Sequence, residues 1–226
     1  MSLNYKFLPL ETALLVLESR RLKISRVAEL NDILDCLPII AAPLDKPEYT
    51  DQQWTDRIVN QNSRNYGLLC LSRTFRSPLL WGHYAANAAG LALGFDPAAF
   101  PWANPIQVEY RDLRPSFSWK AADDQGETFV EDMLRCSFGV KSLEWAYEQE
   151  VRYVLALDTC QTAEGRYFAP FPSNALKQII VGFRSNLDRS YLTRFLKQQY
   201  PAQTVDVRDS HCHATKYELE LDEPPT

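Results

Sequence analysis

What most limits the fold of this chain is the spacing between its strand-like segments. Short apolar runs alternate with amphipathic stretches along its 226 residues. Many links between neighbouring runs are too short or too irregular for the roughly dozen residues that a parallel crossover needs. A mixed sheet therefore fits better than a regular, doubly wound βαβ array. The pattern predicts an α+β chain with a mixed or mostly antiparallel central sheet flanked by helices. The clearest single element is YGLLCLS at residues 66–72, a near-continuous apolar run that reads as a buried strand.

Residues 3–7 read as a first strand. Leu10, Ala13, Leu14 and Leu17 then repeat at helical spacing, with Arg20 and Arg21 at the negative end of that helix. A second strand follows at 22–25. Residues 28–49 are turn-rich, with Asn31-Asp32 and prolines at 38, 43 and 47, and a polar helix runs from about 51 to 62. Ser77-Pro78 is a helix start, a serine cap before proline in the first turn. Its helix carries Leu80, Trp81, His83 and Tyr84 and ends before Gly90. Strands are expected at 91–95, 106–110 and 147–157, the last being the longest, with 167–171 as its pairing partner. A helix at 127–136, a buried strand at 179–183, an amphipathic helix at 187–199 and strands at 204–207 and 217–221 complete the pattern. With no repeat, low-complexity block or linker, residues 1–221 read as one domain and 222–226 as a frayed acidic, proline-containing tail.

Apolar residues make up 46% of the chain, enough for a substantial core, and charged residues 23%. A net charge of -5 argues against an electrostatic nucleic-acid binder. The one dense basic cluster, Arg20, Arg21, Lys23 and Arg26, reads as a solvated helix end. Glu11 and Glu18 bracket the apolar residues 14–17 too closely for an export signal, and no run approaches the roughly 20 residues of a membrane span. The five cysteines are odd in number and lack CxxC spacing, so they read as reduced thiols of a cytoplasmic protein.

Among only eight glycines there is neither a GxGxxG nor a Walker A loop, and GxSxG and HExxH are also missing. His211 and His213 flank Cys212. On a strand both imidazoles would face one metal ion, which makes a metal-dependent hydrolase one reading; a polar loop before the final strand is the plainer one. On the helix at Pro78, Leu80 and Tyr84 share a face, and His83 stacks over Leu79 and faces Asn87. This helix lines a pocket, or else Trp81 and Tyr84 are core. The richest stretch is KSLEWAYEQEVRYVLAL at 141–157. On a strand, Glu148, Glu150 and Arg152 share one face, and Gln149, Val151 and Tyr153 the other. Facing solvent, they are ordinary surface charges. Facing a cleft, Glu150 is a fixed carboxylate held by a guanidinium, and its neighbour Glu148 raises the pKa of one of the two.

Several of these segments together resemble the uncharacterised bacterial family known as domain of unknown function 2971. They are the Tyr5-Lys6-Phe7 start running to Ser25 and on to Asn31-Asp32, YGLLCLS with LLWGHYAANAAGLALGFD, KSLEWAYEQEVRYV, and Ile179-Ile180-Val181-Gly182. A more distant likeness is to ADP-ribosyltransferase-like domains, which carry a basic residue on a first strand and a late Glu-x-Glu, with Lys6 standing where that class usually has His or Arg. That likeness implies NAD as cofactor, with Glu150, preceded by Glu148, as catalytic carboxylate. It further implies that Lys6 touches the cofactor, that Tyr84 or Trp81 stacks on nicotinamide, and that Ser25, His83 and Arg152 complete the cofactor-binding set. A small-molecule ligand is expected, without nucleic acid or membrane. The alternative is a non-catalytic binding or regulatory module in stress or phage defence. It expects Glu150 and Arg152 in a closed pair with no adjacent cavity and His83 packed.

Overall fold

The apolar run at 66–72 is the strand on which the sheet is assembled. A computed structural model describes residues 2–43, 46–102, 105–118 and 127–222. Its first half contains β1 (Asn4–Leu8), α1 (Leu10–Ser19), β2 (Arg21–Arg26), β3 (Ile39–Ile40), α2 (Asp51–Asn65), β4 (Tyr66–Ser72), α3 (Pro78–Tyr84) and β5 (Leu91–Phe95). There follow β6 (Ile106–Gln107), β7 (Glu109–Arg111), β8 (Ser116–Phe117), α4 (Glu127–Phe138), β9 (Val140–Ser142) and β10 (Glu150–Ala156). The chain closes with β11 (Gln161–Ala163), β12 (Arg166–Pro170), β13 (Leu176–Val181), α5 (Arg189–Gln199), β14 (Asp206–Cys212) and β15 (Leu219–Leu221). The expected α+β class holds. The large sheet runs β11-β12-β2-β4-β1-β5-β13-β14-β15, with β10 branching from β4 and β6 pairing with β10. Its strand pairs are antiparallel except β13 with β14.

One detail of register creates the site. β10 pairs along all of β4, from Glu150 opposite Ser72 to Ala156 opposite Tyr66. The other edge of β4 is shared. β2 holds its start, with Ser25 opposite Leu68 and Arg26 opposite Gly67, while β1 holds its end, with Tyr5 opposite Ser72. Between these contacts β1 and β2 peel away and the sheet is split beside Cys70. The ladder must be completed there by something else, because a buried backbone carbonyl without a partner is costly. Lys6 does this, its Nζ donating to Cys70 O at 3.0 Å.

Alternation along β4 and β10 divides the two faces. Leu69, Leu71, Tyr153 and Leu155 enter the main core with Ala13 and Leu17 of α1 and Leu192 of α5. Cys70, Ser72, Glu150 and Arg152 lie on the opposite face. A second apolar cluster sets Trp81 and Leu80 of α3 on Phe7 of β1. The helix stops sharply: Ala86, Asn87 and Ala88 all have left-handed backbones, with φ of 48, 55 and 64°. Gly90 and Gly182 close against this turn, and a Cβ on Gly90 would collide with Leu8 O. Asn87 therefore lies beyond the helix, and the expected stacking of His83 toward it does not form.

Other expectations are corrected. Residues 147–157 are not one strand: a 3-10 turn spans Leu143–Glu148, Gln149 is left-handed with φ of 44°, and only Glu150 begins β10. β12 pairs with β11 and β2 instead of with β10. The strand expected at 106–110 breaks at Val108, whose N–H bonds to Glu150 O. The strand expected at 204–207 is Asp206–Cys212, so His211 is on a strand and not in a loop. α2 runs on to Asn65 from a Thr50–Gln53 capping box. Ser77 makes no side-chain cap bond. Asp222, assigned to the tail, is tied to Asp209 O through its N–H; the rest of the tail, 223–226, lies outside the described residues. The five cysteines are free, and no described helix is long and apolar enough to cross a membrane.

Candidate functional site

The split between β1 and β2 opens into a cavity of about 950 Å³. That is the size of a pocket for a sizeable small molecule. Lys6, Ser25, His83, Tyr84, Glu148 and Glu150 all line it. These side chains come from β1, β2, α3, the 3-10 turn and β10. Lys6, Ser25, Tyr84 and Glu150 thus border one cavity. Phe7, Leu8, Leu22 and Leu80 supply apolar wall.

At the floor is a buried ion cluster. Arg152 is 0% exposed. Its Nε donates to Glu150 Oε1 at 2.8 Å and its Nη2 to Glu150 Oε2 at 2.9 Å. Its Nη1 and Nη2 also donate to the two oxygens of Asp35 at 2.9 and 2.5 Å, and Nη1 reaches Phe138 O at 3.0 Å. Lys141 of β9 is the second cation. Its Nζ lies 2.6 Å from Glu148 Oε2, 3.3 Å from Glu150 Oε2 and 3.7 Å from Asp35 Oδ2, and 4.5 Å from the centre of the Trp145 ring. Tyr84 donates its hydroxyl to Glu148 Oε1 at 2.6 Å. Glu150 is fixed through its backbone as well, its N–H donating to Tyr110 Oη at 2.7 Å.

Asp35, Glu148 and Glu150 thus face Lys141 and Arg152, one more carboxylate than cation. That imbalance separates the two glutamates. Burial opposes ionisation of Glu150, but the bidentate Arg152 and nearby Lys141 outweigh it and hold its pKa down to about 2. Glu148 is pushed the other way. Burial and then the charge of Glu150 raise its pKa, against the pull of Lys141 and the Tyr84 hydroxyl. Burial disfavours the Lys141 ammonium, but Glu150 and Glu148 more than compensate and push its pKa up. Burial and the Glu150 charge likewise raise the Cys70 thiol, which stays protonated and is no nucleophile. The environments of Glu148 and Glu150 therefore push their proton affinities in opposite directions. When the environments of two carboxyls diverge in this way, they take different chemical roles.

Glu148 reaches the cluster from the 3-10 turn and not from a shared strand face. The left-handed Gln149 turns the chain so that both carboxylates meet Lys141. Trp81 does not line the cavity: it is 1% exposed, donates Nε1 to Phe75 O at 2.6 Å and packs edge-on against Phe7. Arg152 does not line it either and acts through Glu150. Between the two aromatic candidates, Tyr84 faces the cavity. His83 is exposed at the rim, with its ring 6.1 Å from that of Tyr147. Lys141, Asp35 and Tyr110 belong to the site through contacts that no local sequence pattern marks. The only signal for Lys141 was its place at the head of the KSLEWAYEQEVR stretch.

His213 accepts the N–H groups of Thr215 and Lys216 at Nδ1, at 3.0 and 3.1 Å, and its Nε2 lies 3.3 Å from Glu220. His211 Nδ1 lies 2.9 Å from Asp222 Oδ1. Among the described residues no group of three or more His, Cys, Asp and Glu is arranged to hold a metal ion.

Comparison with known protein families, with curated proteins and with solved structures found no match to this chain.

Proposed function

We propose that the cavity binds NAD and that the chain cleaves the bond between nicotinamide and ribose, passing ADP-ribose to water or another acceptor. The observation that carries this reading is the pair of differently tuned carboxylates at the floor of a cavity that Lys6, Ser25 and Tyr84 also line. As the C1′–N bond breaks, its electron pair leaves with neutral nicotinamide and positive charge develops on the ribose. Glu150 stays ionised and fixed, so it stabilises that charge without reorganising. Glu148 takes the proton of the attacking hydroxyl as the new O–C1′ bond forms. Tyr84 and the apolar wall hold the nicotinamide ring, and Lys6 contacts the cofactor from the split. The resemblance of the chain to ADP-ribosyltransferase-like domains assigns Lys6 and Glu150 the same roles.

A binding module is the second reading. The closed Glu150–Arg152 pair was expected for it, although the adjoining cavity was not. Both are tested by titrating NAD into the purified protein while following thermal stability and free nicotinamide. Saturation to about a hundred times the dissociation constant should stabilise the fold by roughly 2.7 kcal/mol. Nicotinamide should be released by wild type and not by Glu150→Gln, with Glu148→Gln slowed. Stabilisation without any nicotinamide would favour the binding module. No stabilisation at millimolar NAD would remove NAD as the ligand.

A further inference from the structure

The cavity has an outer arm that the carboxylates do not use. β2 and β12 form its wall, with Phe168 opposite Lys23 and Tyr167 opposite Ile24. Continuing that register sets Arg166 across from Ser25, next to the inner site. The Arg21 guanidinium lies 4.4 Å above the Phe168 ring. Arg21 and Arg166 therefore flank one aromatic side chain on the cavity wall. Among the described residues neither guanidinium has a carboxylate within 4 Å, whereas Lys23 and Arg26 are both engaged by Glu29. Glu18 of α1 and Glu164 of the turn before β12 also line the cavity but pair with neither arginine. The basic cluster at residues 20–26 is thus not uniform. Part of it is neutralised by Glu29, and Arg21 faces the cavity with its fork of donors open.

From this we infer that the outer arm is a pyrophosphate subsite, in which Arg21 and Arg166 bind the phosphate oxygens of a nucleotide whose ribose lies at Ser25 and the carboxylates. Guanidinium groups suit this task because their planar donors meet phosphate oxygens two at a time. The inference rests on NAD as the ligand of the inner site and adds a specificity: the dinucleotide is held by its phosphates, and a nicotinamide riboside lacks what this arm binds.

Calorimetric titration with ADP-ribose tests the arm without requiring turnover. Wild type should bind ADP-ribose, and either Arg21→Ala or Arg166→Ala should weaken it by roughly tenfold or more, as expected for loss of a charged hydrogen bond. Lys197→Ala, a charge change on α5 away from the cavity, should stay within about twofold. Affinity should fall with added salt in wild type and less steeply in the arginine variants. Arg166 is exposed, so its replacement should leave the melting temperature unchanged and report binding alone. Failure of wild type to bind ADP-ribose, or wild-type affinity in both arginine variants, overturns the subsite. If the arginines govern ADP-ribose affinity but NAD yields no nicotinamide, the subsite stands and the cleavage reading falls. If both variants release nicotinamide with unchanged KM, cleavage stands and the subsite falls.

Discussion

The most direct consequence of the ion cluster is an acid-sensitive stability assignable to one residue. Glu150 is held at a pKa of about 2 against an ordinary value of 4.5. At about 1.4 kcal/mol per unit, the folded state gains about 3 kcal/mol from its ionisation. Because the folded pKa is depressed, this stability is present above the unfolded value and is lost as pH falls through the folded one. Linkage puts about 1 kcal/mol of loss already near pH 3.5, with the rest gone below about pH 2. Glu148 contributes with the opposite sign. Its folded pKa is raised, so its contribution is full below the unfolded value and disappears as pH rises through the folded one. The measurement therefore belongs in a Glu148→Gln background, where removing the neighbouring charge only deepens the depression at Glu150. Urea unfolding of Glu148→Gln and Glu148→Gln/Glu150→Gln across this pH range gives two stability curves. Carboxylates outside the ion cluster cancel in their difference. The gap should shrink by about 1 kcal/mol between neutral pH and about pH 3.5 and continue to close below it. A gap that stays constant over that range would refute the depressed pKa, and with it the permanently ionised Glu150 on which the proposed chemistry depends.

Three further outcomes follow from the same geometry. Tyr84→Phe removes a hydrogen bond that favours the Glu148 carboxylate, so the rising limb of a pH–rate profile for nicotinamide release should move to higher pH; an unmoved limb excludes Glu148 as the proton acceptor. Lys6→Met leaves Cys70 O without its donor at the split, which should cost about 1–3 kcal/mol in urea unfolding as well as weakening NAD binding; wild-type stability would mean that solvent replaces the ammonium freely. Gly90→Ala places a methyl against Leu8 O, a backbone atom that cannot swing aside, and should destabilise by several kcal/mol on thermal melting. A near-neutral result there would mean that the 86–88 turn relaxes to make room.

Local physics made most elements legible in the sequence. β4 and β5 are found at the boundaries their apolar runs dictate, because a short buried run between polar breaks has few other solutions. Two kinds of information were not local. One was the break at Gln149: the acidic, aromatic and apolar mix of residues 147–157 reads as strand throughout, and nothing in it announces a left-handed residue without glycine. Strand alternation consequently puts Glu148 on the face of Glu150, whereas Glu148 meets Glu150 at Lys141 from the 3-10 turn. The other was long-range charge pairing. Asp35 lies 117 positions before Arg152, and no pattern within either segment couples them. The split in the sheet was equally hidden, because it depends on which ends of β4 two other strands choose.

The cost of the cluster is itself an argument about its purpose. Five ionisable side chains are gathered where burial penalises every charge, and such clusters rarely stabilise a fold more than well-packed apolar residues of the same volume. Structure alone would be served by burying Val or Leu on this face of β10, as the chain does on the other face with Val151 and Leu155. Nor does Arg152 need both Glu150 and Asp35 for neutrality, since one carboxylate would balance it. The second leaves an excess of negative charge that Lys141 removes only in part, because Glu148 adds a third carboxylate. The excess sits against the cavity, at the split where Lys6 and not a neighbouring strand completes the ladder. The Lys6 ammonium at the split offsets that excess by one charge, so the cavity presents charges of both signs held in fixed places, the Glu150 carboxylate among them. In the proposed cleavage, the positive charge that develops on ribose would meet that fixed carboxylate, which packed apolar residues could not supply.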